Sequence, residues 1–386
     1  MTPKRKICFV ITSQIHYARS RWILKELRKH PGIELQVVVA ASAILPQYGD
    51  VLAAMAADGC KADTEIVMTL SGGNPVAMAK TTGIGIMEFA TAFNNLSPDI
   101  VCVRGDRYEV LSAAVAAAYM NIPVAHIEGG DVTGTIDESV RHAITKLCHI
   151  HFTTNEQSRR NVVQMGENAE HVFNVGCPEL EELDRHSTII DLDEINRQGV
   201  GDPIPQDAKF LVVMYHPVTT EPDNREKVAM LLETIHGLNI PAVWFWPNVD
   251  AGTDDVAKAI RVFRENERPR KMHFIKYFLP DKFIALLRQS ACLVGNSSAG
   301  IKEASYLGVP AVNIGSRQTG RLRGPNVLDV NHDPAAIRAA IEKQLAHGPY
   351  ERCTMYYKPH CAKTITDILA TITVSPQKHF YSQPDV

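Results

Sequence analysis

The stretch CLVGNSSAGIKEASYLGVPAVNI, Cys292 to Ile314, decides the fold. CLVG is apolar without alternation, as in a strand covered on both faces. NSSAG is a tight polar turn. IKEASYLG carries helical spacing and ends on glycine, and PAVNI is a second apolar run. Strand, turn, helix and strand in so short a span form a βαβ unit, which builds parallel sheets.

The same rhythm extends in both directions. In this half FLVVMY from Phe210, PAVWFW and MHFI are further strands, and Asp281–Gln289, Ile301–Leu307 and Pro334–Leu345 are helices. The first half repeats it with strands at Ile7–Thr12, Leu35–Ala40, Ile100–Val103, Val124–Ile127, His151–Thr153 and Val172–Val175. Helices fall at Arg21–Lys29, Val110–Met120, Ile136–Cys148 and Gln157–Met165. The class is therefore α/β, with two doubly wound Rossmann-type domains. A polar zone, Glu181–Ala208, is the expected linker. It sets the domains at 1–185 and 186–365. Residues 366–386 hold the end of the last helix, Ala362–Thr371, and a loosely held polar tail. Ligands in open α/β sheets bind past the carboxyl ends of strands, so the chemistry is expected on the turns there, in a cleft between the domains.

Composition agrees. A chain of 386 residues is too long for one ordinary domain and comfortable for two. Hydrophobic residues at 45% and charged residues at 22% fit a soluble globular enzyme. A net charge of −3 offers no broad basic surface to nucleic acid or anionic lipid. ICFVI near the start is too short for a signal segment or a membrane span. The eight cysteines form no CxxC pair, which reads as reduced thiols in a cytoplasmic protein. Cys353, His360 and Cys361 match no usual zinc spacing, so no metal is expected.

In the second half, Asn296, Ser297 and Ser298 are placed to cap the helix that follows, and its start would attract a phosphate. Glu303, on the first turns, suits a ribose diol. An ordinary capped helix with a solvated glutamate is the plainer alternative. His216 and Asn248 each follow a buried strand, where a ligand would lie. Arg317, after PAVNI, is within reach of a phosphate.

The first half sets acids at strand ends. Asp106 and Arg107 follow one strand, and Glu128, before two glycines, follows the next. Asp137 opens a helix on which Arg141 lies four residues on and His142 beside it. Convergent acids are what proton abstraction from carbon and protonation of a leaving oxygen require, one ionised and one protonated. A Glu ending a buried strand is hard to explain structurally, because an unpartnered buried charge is costly.

Seven stretches, running in register through Ile7 to Val330, carry a resemblance. They are GDR at Gly105–Arg107, HIEGG at His126–Gly130, GTIDESVRHAITKL at Gly134–Leu147, HPVTT at His216–Thr220, PNVDAG at Pro247–Gly252, GNSS at Gly295–Ser298 and GSRQTGR at Gly315–Arg321. With them the chain resembles the hydrolysing UDP-N-acetylglucosamine 2-epimerases of sialic acid biosynthesis. GTIDxSxRH is similar to the hydrolysing branch; the non-hydrolysing enzymes usually read HVEAGLR there. The resemblance implies a GT-B fold, with UDP held by the second domain and the sugar by the first. It implies elimination of UDP to a 2-acetamidoglucal, then hydration to N-acetylmannosamine, without metal or redox cofactor. It also implies a homodimer or homotetramer whose partner is a UDP-sugar.

Carried over by position, Asp106, Glu128 and Asp137 are the essential acids, with base and acid unassigned. Arg107, Arg141 and His142 contact sugar or phosphate, and His216, Asn248, Ser297, Ser298, Glu303 and Arg317 form the UDP site. Two stretches depart. SQIHYARS stands where the family reads RADY, leaving Arg19 or His16 as substitutes, and Ala43 stands where a histidine is usual. These departures keep a UDP-linked 2,4-diacetamido sugar or a GDP-linked sugar open as substrate. A glycosyltransferase shares the architecture but needs fewer acids, and a binding protein without turnover has little use for all three.

Overall fold

The computed structural model describes residues 3–70, 74–185, 190–221, 223–247, 252–276 and 280–382. Two compact units emerge. The first comprises Met1–Val132, Ile136–Glu182 and Tyr356–Val386; the second comprises Thr133–Thr135 and Leu183–Met355.

The first unit holds seven strands: β1 (Arg5–Ile11), β2 (Ile33–Ala40), β3 (Thr64–Ile66), β4 (Ile100–Arg104), β5 (Val124–Ile127), β6 (Ile150–Thr153) and β7 (Val172–Asn174). Their order is β3-β2-β1-β4-β5-β6-β7, parallel throughout. The order reverses at β1, so the connections leaving the paired strands β1 and β4 run in opposite directions, the place where such a sheet offers a crevice at its carboxyl ends. Helices cover both faces, burying Ile7, Phe9 and Ile11 on one side and Cys8 and Val10 on the other.

The second unit repeats the plan with β8 (Val200–Gly201), β9 (Leu211–Met214), β10 (Ala242–Phe245), β11 (Met272–Ile275), β12 (Cys292–Gly295), β13 (Ala311–Ile314) and β14 (Val327–Val330). The order is β14-β13-β12-β9-β10-β11-β8, with only the short β8 antiparallel. The doubly wound α/β architecture expected from the apolar runs is present in both units.

Several details differ from the expectation. The helix that ends at Lys29 begins at Gln14, because Ser13 caps it by accepting from the His16 N–H at 3.2 Å. A helix spans Pro75–Leu96, where Gly83, Gly85 and paired threonines weaken local propensity; packing against the helix Tyr108–Tyr119 sustains it. The last helix, Cys361–Thr371, packs in the first unit with Ile23, Leu24 and Leu27, and not with the second half of the chain. Arg5 fastens its end by donating to the carbonyls of Leu369 (2.9 Å) and Ile372 (2.7 Å). The tail beyond it is docked. Lys378 donates to the Lys146 carbonyl at 2.8 Å and pairs with Glu167 at 2.7 Å, and the Tyr381 N–H donates to the Gly166 carbonyl at 3.0 Å.

All eight cysteines are free thiols, and only Cys353 is not buried. Among the described residues no helix is long and apolar enough to cross a membrane.

Candidate functional site

In the first unit the candidate acids stand at the ends of β4 and β5. Asp106 follows β4 by two residues, and Glu128 is the first residue after β5. Glu128 adopts φ 71°, a left-handed conformation that a residue with a Cβ seldom takes. Such a turn persists only where its surroundings over-determine it. Its N–H donates to the Phe152 carbonyl of β6 at 2.9 Å, and its carboxylate accepts from Arg104 Nε at 2.9 Å. Gly130 completes the turn at φ 81°, and a Cβ there would come within 2.2 Å of the Ser158 carbonyl oxygen, so only glycine fits.

Arg104 is the charged side chain that the sequence reading missed. It ends β4 and is 1% exposed. Besides Glu128 it binds Glu179 through Nη2 at 2.5 Å and the Arg19 carbonyl through Nη1. Apolar neighbours on VCVR hid it, because a strand-end arginine carries no spacing signal. Ligand atoms of Glu128, Cys177 and Glu179 lie within 4.8 Å of one another, a geometry that would suit a metal. Arg104 hydrogen-bonds both of these carboxylates, so a metal ion would compete with its guanidinium.

Asp106 is ion-paired with Arg141, on the helix Ile136–Leu147. Arg141 is buried and also donates to the Asp131 carbonyl at 2.7 Å. Burial works against its charge, while Asp106, Asp131 and Asp137 hold it protonated. The expected pairing of Asp137 with Arg141 is thus electrostatic and shared with Asp106. Arg107 binds Glu109, Nη2 to Oε1 at 3.1 Å. His142 is half-buried, 3.9 Å from Glu138, and burial pushes its pKa down. Arg19 lies 3.7 Å from Glu179.

The departures resolve into positions. Ala43 is buried in the core with Val51 and Met55. His16 holds Thr12 Oγ1 at 2.8 Å through Nδ1, and its Nε2 lies 3.3 Å from where a Gly105 Cβ would be. Burial lowers its pKa to about 3, with Arg107 and Arg104 adding to the shift and Asp106 and Glu128 opposing it. A neutral imidazole therefore sits beside both acids. Asp131, also missed, is buried with its carboxylate accepting from Ser158 (2.5 Å) and Thr154 (3.2 Å), a structural role.

In the second unit the turn after β12 does not cap as expected. Ser297 caps a single 3-10 turn, Ser298–Gly300, and the α-helix that follows is only Glu303–Leu307, with no side-chain cap. Asn296 instead grips the backbone of His216. It accepts from the His216 N–H at 2.8 Å and donates to the His216 carbonyl at 2.8 Å. Gly295, at φ 137°, permits this approach, since a Cβ would meet the Met214 carbonyl at 2.0 Å. Arg317 Nη1 and Gln318 Nε2 donate to the Asn296 carbonyl at 3.1 and 2.9 Å. The ends of β9, β12 and β13 are so tied together, gathering His216, Ser297 and Arg317. Glu303 and Lys302 are buried just beyond, and Lys302 had no signal in the sequence because helical spacing assigns it to solvent. Asn248 lies outside the described residues.

Comparison with known proteins gives the family. The UDP-N-acetylglucosamine 2-epimerase family matches residues 25–370. A Legionella pneumophila protein named UDP-N,N'-diacetylbacillosamine 2-epimerase (hydrolyzing) is 33% identical over 97% of each chain. A Neisseria meningitidis UDP-N-acetylglucosamine 2-epimerase is 31% identical over 90% of this chain and 89% of its own. Among solved structures, a Staphylococcus aureus MnaA–UDP co-structure superposes with a TM-score of 0.77 at 14% identity, over 95% of this chain and 96% of that one. At that identity the likeness concerns the fold, which is GT-B-like. By sequence and by fold, the chain belongs to the UDP-N-acetylglucosamine 2-epimerase family.

Proposed function

We propose that this protein is a hydrolysing 2-epimerase that converts UDP-N-acetylglucosamine and water to UDP and N-acetylmannosamine. A carboxylate takes the C2 proton, and the C–H electron pair becomes the C1–C2 double bond as the C1–O bond to UDP breaks. Water then returns a hydroxyl to C1 and a proton to the opposite face of C2. One observation carries the reading: Asp106 and Glu128 end adjacent strands, each on a buried arginine, with Asp137 acting on the same Arg141. Such fixed carboxylates suit proton transfer at carbon better than simple binding. In this reading Arg19, Arg107, Arg141 and His142 serve the sugar and phosphate side. His216, Asn248, Ser297, Ser298, Glu303 and Arg317 grip UDP. The chain works as a homodimer or homotetramer.

A second reading keeps the chemistry and changes the sugar to a UDP-linked 2,4-diacetamido sugar. Its support is the 33% identity to the Legionella pneumophila protein named for that activity. Ala43, in place of the usual histidine, is consistent with it.

Incubation with each nucleotide sugar in D2O, followed by NMR, tests both. Free UDP with 2-acetamidomannose deuterated at C2 is the result expected for the first reading. Release only from the diacetamido substrate moves the assignment to the second. UDP-linked epimer in equilibrium with substrate, or substrate left intact in every arm, would overturn the hydrolysing function.

A further inference from the structure

We propose that Arg104 and Glu179 are positioning residues for Glu128: one guanidinium shared between two buried carboxylates keeps Glu128 charged and its carboxylate fixed. The proposal rests on the reading of Glu128 as a catalytic carboxylate.

Arg104 is 1% exposed, Glu179 5% and Glu128 9%. An arginine so enclosed is tolerated only when its donors are met, and here Nε, Nη1 and Nη2 each have an acceptor. The two carboxylates share the Arg104 guanidinium, their oxygens lie within 4.8 Å of each other, and Glu179 has a second, longer ion pair with Arg19 at 3.7 Å. Without the Arg104 guanidinium, Glu128 loses a bound cation while the Glu179 carboxylate stays close, which favours the protonated form of Glu128. Arg104 is thus what leaves Glu128 free to accept a proton rather than donate one. Glu179 acts in the opposite sense, because it draws part of the guanidinium away.

Other groups also face this cluster. His16 and Arg19 come from the first helix, Cys177 from the segment after β7, and Cys361 from the last helix. His16 is neutral in the working range, and burial raises the Cys361 thiol well above its usual value, with Glu179 adding to the shift. Neither supplies positive charge, and the cation Arg19 lies at Glu179 (3.7 Å), so Arg104 is the cation that bridges both carboxylates.

The two partners therefore predict shifts of opposite sign, which loss of packing alone would not produce. The protein is labelled with side-chain-¹³C glutamate, and the Glu128 carboxyl signal is identified by its loss in Glu128→Gln. Its midpoint is then followed against pH. In Arg104→Met it should rise by about one pH unit or more, and in Glu179→Gln it should fall. Arg104→Lys, which keeps the charge and loses the fork, should lie between and carries the test if Arg104→Met fails to fold. An unchanged midpoint in the arginine variants, or shifts of the same sign, would overturn the proposal.

The same variants are assayed for UDP release against pH. The acid limb of kcat/KM should move with the carboxyl midpoint. At pH 7, kcat in Arg104→Met should fall by about ten- to a hundredfold while KM changes within about threefold. Carboxyl midpoints that move without the acid limb would instead sink the catalytic reading of Glu128, leaving its electrostatic positioning intact.

Discussion

Asn296 commits its side chain to the end of a neighbouring strand, which makes it the residue on which the turn after β12 depends. It closes two hydrogen bonds on the backbone of His216, and its own carbonyl receives Arg317 and Gln318. Both His216 groups are buried, so removing the amide leaves a donor and an acceptor without partners. Asn296→Ala should therefore cost about 2–4 kcal/mol by urea unfolding and weaken UDP binding together with it. Asn296→Asp keeps the acceptor and loses the donor, so it should lie between the two. A stability change within about 0.5 kcal/mol for the alanine variant would show that the bridge does not organise the turn. GNSS was legible in the sequence as a turn after a strand, but the partner of its asparagine was not. A cap is a local bond that spacing can suggest; a bridge to a residue eighty positions upstream depends on the sheet order.

At the level of elements, the central strands could be read because burial on both faces leaves unbroken apolar runs. The edge strands β3, β8 and β14 could not, being short and partly exposed. Arg104 and Glu179 were illegible for a related reason: their pairing joins β4 to a helix that begins seventy-four residues later, and neither carries a motif. The C-terminal tail is the clearest case. Its composition is polar, yet Glu167 supplies a buried anion bound by Lys146 (2.6 Å), Lys378 (2.7 Å) and His151 (3.1 Å). Desolvation works against that charge, and the bonds to His151 and the lysines overcome it, holding the carboxyl down at about 2. Lys378→Ala should free the segment from Lys378 to Tyr381, with a loss of about 1–2 kcal/mol. Hydrogen exchange checks this: the Tyr381 amide, bonded to the Gly166 carbonyl, should lose its protection while β5 and β6 keep theirs. Equal protection in variant and wild type would mean that Phe380, packed over Gly166, holds the tail without the ion pair.

For the molecule as a whole, burial has one consistent electrostatic consequence. Among the described residues, His16, His126, His142, His149, His151, His273 and His332 have displaced pKa values, each displaced downward with desolvation as the leading cause. His126, bonded to the Gly105 carbonyl at 2.9 Å and Thr145 at 3.1 Å, falls to about 4, and His16 to about 3. Because these folded values lie below the unfolded one, near 6.5, the unfolded chain binds more protons than the native one at mildly acid pH. Stability from these groups is complete above about pH 6.5 and is lost as the pH falls toward the folded values. Glu167 acts in the same direction lower down, between its ordinary value and about 2. His16 and His126 alone should remove about 3–4 kcal/mol of unfolding free energy between pH 7 and pH 5. Urea unfolding at pH 7, 6 and 5 measures the slope. His126→Gln, which cannot take up a proton, should flatten it by about 1.4 kcal/mol per pH unit near pH 5, whatever its effect at pH 7. Equal stabilities at pH 7 and pH 5 would show that these imidazoles protonate inside the fold. His16, beside Asp106 and Glu128, would then carry charge at mildly acid pH.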